Sequence, residues 1–190
     1  MGAMDHAERV RPGTAEAWWA WLEQNHQRGE GVWLVLDQRA DGGGLLGYDN
    51  AVRHALCFGW IDGQARTADG ASMLWLSPRK PRSAWAATNK ARVAELEASG
   101  LIQPAGRRVI EMARDNGMWS VLDGPEAGIE PEALTAALDA SPAARANWDA
   151  FPPSTRKLGL TQIAMARQEA TRAARIAKIV AAAERNVRPG

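Results

Sequence analysis

A single cysteine in 190 residues excludes an intramolecular disulfide and fits a reducing compartment. Histidine is scarce too: His6, His26 and His54 are scattered, no Cys-x-x-Cys or His-x-x-x-His pair exists, and no metal set is expected. No Gly-x-x-x-x-Gly-Lys-Ser/Thr loop occurs, and no nucleotide cofactor is expected. No apolar run approaches the roughly 20 residues that span a bilayer. The N-terminus lacks the basic-then-apolar pattern of a signal peptide, and Met1-Gly2-Ala3-Met4 reads as residues appended ahead of a native start. These absences predict a cytoplasmic protein without a membrane span.

An excess of charge of one sign is nearly absent overall, the net being +1, but the charge is unevenly spread. From Pro153 to Gly190 eight Lys/Arg face only Glu169 and Glu184, which makes that stretch +6 and the rest −5. A basic helical tail can meet nucleic acid or an acidic partner, but it is more often one solvated helix face, so nucleic acid is not the expected partner.

What is present is indole. Nine tryptophans stand against one tyrosine and two phenylalanines. Trp18, Trp19 and Trp21 cannot share one core from one helix, since neighbours diverge by about 100°. One of them at least is expected at the surface or in a groove. An indole offers a broad face to cations and planar molecules and an N–H at its edge.

Thr14 is a suitable N-cap for a helix from Ala15 to Asn25, and Val32-Trp33-Leu34-Val35-Leu36 reads as a buried strand. Asp41-Gly42-Gly43-Gly44 is a flexible break. A helix from Tyr48 to Gly59 buries Val52, Ala55 and Leu56, and Gly63 to Ser77 forms two strands around Ala68-Asp69-Gly70. Ser83 caps a helix to Ser99, and another runs from about Pro104 to Asn116-Gly117. Val121 to Glu130 is a linker by composition. Beyond it Pro131 and Pro142 sit at helix starts, Pro152-Pro153 is a break, and Ala166 to Asn186 is an alanine-rich helix with Ile176, Ile179, Val180 and Ala183 in register. The prediction is an α+β protein: a small α/β N-terminal domain (1–120), a linker (121–130) and a helical C-terminal region (131–190).

The run Leu56-Cys57-Phe58-Gly59-Trp60-Ile61-Asp62-Gly63, followed by Pro78-Arg79-Lys80-Pro81-Arg82-Ser83, resembles the bacterial YdeI/OmpD-associated family of bacteriocin-protection or stress-tolerance proteins. The resemblance implies the same two-part layout. It is strongest from Trp33 to Trp85 and fades toward the end. There Ala166 to Ile176 corresponds to an Ala-Lys-x-Pro-Glu-Thr-Arg-like stretch with its proline replaced, and Leu158 to Ile163 lacks the expected aromatics. Cys57 and Asp62 match the family run; His54 does not.

His54 and Cys57 lie three apart, on one helix face, and Asp62 is placed to orient the histidine. The apolar flanks Leu56 and Phe58 favour a small buried thiol over a nucleophile. The leading site is therefore a binding cleft, with Trp33, Trp60, Asp62, Gln64, Arg66, Trp75, Arg79, Arg82, Trp85 and Asn89 as candidates and Lys80 beside them. These residues lie at element ends, where binding groups gather, and the basic ones favour an anionic moiety. The competing reading of the same residues is an Asp62–Arg pair that locks the loop, with Trp60 and Trp85 as packing. The expected function is non-covalent sequestration of a small aromatic or amphipathic compound, by a monomer or homodimer. The alternative is an enzyme using Cys57 or Asp62 in the same cleft, with nucleic-acid binding through the basic helix a distant third.

Overall fold

The computed structural model describes residue 4, residues 6–36 and residues 46–189. The Asp41-Gly42-Gly43-Gly44 break and Met1, Gly2 and Ala3 lie outside them. The chain divides into two compact units, Met1–Ser83 with Thr88–Met118 and Ala84–Ala87 with Trp119–Gly190. The described residues form a mixed α+β fold in which the sheet belongs to the N-terminal half and helices make up the rest.

The first unit begins with β1 (Arg9–Val10), α1 (Ala15–Asn25), β2 (Val32–Leu36) and α2 (Tyr48–Cys57). It continues with β3 (Trp60–Ala68), β4 (Ala71–Pro78), α3 (Ala87–Ala98) and α4 (Pro104–Asp115). Thr14 caps α1 as expected, its side chain accepting from the Ala17 N–H at 3.2 Å. Asp69 and Gly70 adopt φ of 53° and 72°, the two positive values that a tight hairpin turn between right-twisted strands requires. The strand order is β1-β2-β4-β3, with β1 parallel to β2 and the other pairs antiparallel. β1, too short for any periodicity, has no counterpart in the sequence reading. The helix read from Ser83 starts only at Ala87, because the Ser83 hydroxyl accepts from Lys80 N–H at 3.2 Å and closes a turn instead.

The register decides which side chains meet. Trp33 pairs with Trp75, Val35 with Met73 and Arg66 with Met73, so these share one face of the sheet. Val32, Leu34, Leu74, Leu76, Trp60 and Asp62 share the other. Between Asp62 and Ala65 the ladder shifts: three steps along β3 oppose two along β4, a bulge at Gly63-Gln64 that reverses the alternation after Asp62.

Helices α1 and α2 lie on the second face. Trp60 Nε1 donates to the His26 carbonyl after α1 at 3.0 Å, and Trp18 Nε1 donates to Ala51 O in α2 at 3.1 Å. Of the three neighbouring indoles, Trp18 is fully buried and neither of the others is fully exposed. Trp19 sits against His54 and Phe58, while Trp21 stacks on Trp18 at 5.1 Å and meets Trp60 edge-on. Arg53–Glu95 and Arg92–Asp49 ion pairs, at 2.6 and 3.0 Å, tie α2 to α3. Helix α4 approaches the end of α2 through Gly106, and the Gln103 N–H donates to Cys57 O at 3.0 Å.

The second unit holds α5 (Asp123–Ala127), α6 (Glu132–Asp139), α7 (Pro142–Ala150), α8 (Pro153–Ala164) and α9 (Glu169–Glu184). Leu134, Leu138, Trp148, Phe151, Leu160, Ile176 and Ile179 are buried together as its core. Where composition predicts a linker, α5 makes one helical turn ended by Gly128 at φ 71°. Pro131 and Pro142 do stand at helix starts, with the Ser141 hydroxyl accepting from Ala144 N–H.

Candidate functional site

The sheet parts the predicted site residues instead of gathering them. On the first face, the Arg66 guanidinium lies 3.8 Å above the Trp33 ring, and Trp33 meets Trp75 at 5.3 Å between ring centres. Trp33 is fully buried and its Nε1 donates to Met4 O at 2.8 Å, so the N-terminal residues cover it. Trp75 keeps part of its surface exposed. Its indole is pressed on Gly31 and Gly63: a Cβ at Gly31 would strike Trp75 Cζ2, and one at Gly63 would stand 3.0 Å from Cδ1. Only glycines let a ring come this close to two neighbouring backbones.

Beside that ring is a cleft of about 450 Å³, lined by Trp75 with His6, Glu8, Arg28, Glu30 and Lys80 among others. A cleft of this size suits a small molecule. The Glu8–Arg28 pair on its wall closes at 2.7 Å. Sequence reasoning missed all of this wall except Trp75 and Lys80. Residues 6–8 and 28–31 carry no motif; the only signal was two glycines positioned to flank a strand tryptophan.

The second face carries a different arrangement. Trp60 is wholly buried. Asp62 accepts from the Tyr48 hydroxyl at 2.8 Å, and with burial this holds the Tyr48 phenol above its ordinary range. Arg79, expected as a surface anion contact, is 6% exposed. Burial draws its guanidinium down to about 10, while the Asp62 charge pulls the other way. Arg79 therefore sits inside the fold, near enough to Asp62 to feel its charge, and not at the surface. Gln64 sits on the bulge and Arg82 is exposed, with neither on the cleft wall. Trp85 belongs to the second unit, buried against Trp119 at 5.0 Å between ring centres. Asn89 is buried in α3 and accepts from Arg92 at 2.9 Å.

Cys57 is fully buried and desolvation pushes its thiol up to about 12. His54 gives its Nδ1 to the Ala15 carbonyl at 3.1 Å, and burial lowers its basicity. A thiol so far from ionisation is no nucleophile. Among the described residues no group of three His, Cys, Asp or Glu is arranged to hold a metal, and no helix is long and apolar enough to cross a membrane.

In the second unit Glu130 is the centre of a polar network. It accepts two bonds from Arg145, at 2.8 and 3.0 Å, one from Trp148 Nε1 at 2.7 Å and one from the Thr135 hydroxyl. Arg145 foremost holds the Glu130 carboxyl below its usual range, and Arg145 also bonds Asp149.

Residues 10–109 match the family model of a domain of unknown function (DUF8412). Residues 128–186 match the model described as Bacteriocin-protection, YdeI or OmpD-Associated. The chain belongs to the DUF8412 family, and its C-terminal segment is similar to the YdeI/OmpD-associated one. No curated protein and no solved structure matches it.

The YdeI/OmpD-associated match falls where the sequence resemblance was weakest, on α6 to α9 and the Glu130 network. The Leu-Cys-Phe-Gly-Trp-Ile-Asp-Gly run and most of the cleft wall fall instead within the DUF8412 segment.

Proposed function

We propose that this protein confers tolerance to an antimicrobial by holding a small planar or amphipathic compound, non-covalently, in the cleft beside Trp75. The reading rests on one observation above the rest: a partly exposed indole, held closely against Gly31 and Gly63, walls a space of about 450 Å³. A ring held this way stacks on a ligand with little loss of its own freedom. The family description of the C-terminal match supports the biological role. The buried, un-ionised Cys57 favours binding over covalent chemistry. We place the protein in the cytoplasm, on its single buried thiol.

Because Glu8 and Glu30 balance Arg28 and Lys80 on the wall, the cleft selects for planarity more than for negative charge. N-phenyl-1-naphthylamine, planar and neutral, is the probe of choice. It should quench tryptophan emission on titration, and Trp75→Ala should weaken it by about 2 kcal/mol, roughly thirty-fold, as for a central aromatic anchor. Arg82→Ala should bind as wild type does. Equal affinity in wild type and Trp75→Ala would place the ligand elsewhere.

A further inference from the structure

A second cavity, of about 420 Å³, lies wholly within the C-terminal unit, between α5, Trp148 of α7 and the first turns of α8. We propose that it binds a small compound with one anionic group on an apolar body, Arg156 taking the anion and Trp148, Leu160 and Pro125 facing the body.

Four charged side chains line this cavity, and they are not equivalent. Glu130 is committed to Arg145, Trp148 and Thr135. Glu126 accepts from Lys157 Nζ at 3.0 Å and from the Ala87 N–H at 2.9 Å. Both carboxylates are thus neutralised by partners within the unit, and Lys157 is spent on one of them. Arg156 differs. Its guanidinium makes no hydrogen bond or ion pair among the described residues, and its Nε is buried without an acceptor. A buried donor left unmade is costly, and an anion entering the cavity removes that cost.

The position suits such a guest. Thr155 and Arg156 N–H bond to the Pro152 carbonyl, so the Ser154 N–H and hydroxyl stand at the opening of α8 beside Arg156. Helix openings favour negative charge, and a guanidinium meets a carboxylate or sulfonate by two-point contact. The rest of the wall is ring and aliphatic surface: Pro125, Trp148, Pro153 and Leu160. An inorganic anion would leave that surface unused, so the ligand class is an organic monoanion. This site is independent of the Trp75 cleft and lies in the segment that carries the bacteriocin-protection description, apart from its α5 edge.

The test uses the full chain and 8-anilino-1-naphthalenesulfonate, a monoanion with an apolar planar body. In the Trp75→Ala background, which takes the indole from the first cleft, the protein should still bind one equivalent. Adding Arg156→Gln there should weaken that binding at least tenfold, and Arg156→Lys less. Sodium octanoate, an aliphatic monoanion, should compete. Far-UV circular dichroism checks the fold of each variant, and Arg156→Lys together with octanoate competition on the Trp75→Ala protein decides the matter if Arg156→Gln does not fold. The proposal falls if the Trp75→Ala protein fails to bind the probe at millimolar concentration, if adding Arg156→Gln to it leaves a folded protein that binds as tightly, or if octanoate does not compete.

Discussion

Gly106→Ala ought to stabilise a helix by propensity alone, and here it should do the opposite. Alanine in place of glycine is worth up to about 1 kcal/mol in α4. Yet a Cβ at Gly106 falls inside contact with Cys57 O, 2.8 Å from Cys57 C and 2.9 Å from Leu56 O. All three are backbone atoms at the end of α2, so no rotamer change relieves the clash. Ordinary contact begins near 3.4 Å, and α4 must retreat by roughly an ångström to reach it. That retreat strains the Gln103 N–H to Cys57 O bond of 3.0 Å, worth about 1 kcal/mol. Overpacking of this kind costs about 1–3 kcal/mol in its own right. With propensity set against the lost bond, the net destabilisation is about 1–3 kcal/mol, a fall of about 1 M in the urea midpoint at an unchanged slope. Urea denaturation followed by tryptophan emission measures it. Gly124→Ala is the control, since a Cβ there meets nothing within 4 Å. A Gly106→Ala protein as stable as wild type would refute the reasoning.

Two further predictions concern α2. Burial depresses the basicity of His54, so its neutral form is the one that fits the fold. The unfolded chain then binds the proton more readily: the stability linked to His54 is present above its ordinary value of 6.5 and is lost as pH falls below it. Thermal melts from pH 8 to pH 5 should show this fall, and His54→Gln should flatten it; a slope unchanged by the substitution would discount the residue. Cys57, its thiol pushed up to about 12, should resist iodoacetamide in the native protein and react once unfolded. Cys57→Ser should cost about 1–3 kcal/mol from burying a hydroxyl while leaving probe binding intact.

Elements with strong local signals were legible from sequence: the Thr14 cap, the Asp69-Gly70 turn, and the helices of both parts. What escaped had non-local causes. β1 exists only because Arg9 and Val10 pair with Trp33 and Leu34. The linker reading of residues 121–130 took glycine and proline as punctuation, whereas Pro125 sits inside a helical turn, buried. The candidate residues lie apart for one geometric reason above all. Trp60, Asp62, Gln64 and Arg66 look like one face by alternation, but the bulge after Asp62 sends Arg66 to the side of Trp33 and leaves Trp60 and Asp62 with the helices. Arg79 misled in another way, because a Pro-Arg-Lys-Pro-Arg loop reads as solvent-exposed and its first arginine turns inward.

The same bulge bears on how the protein avoids itself. β3 is the outer strand of the described sheet, and an outer strand exposes a row of unpaired amides and carbonyls that a second molecule can extend. Here that row is broken in its middle by an extra residue, with an exposed glycine and glutamine at the break and an arginine just beyond. A foreign strand laid along β3 loses register halfway and finds no continuous template. The irregularity that separates Asp62 from Arg66 therefore also guards the sheet against edge-to-edge aggregation.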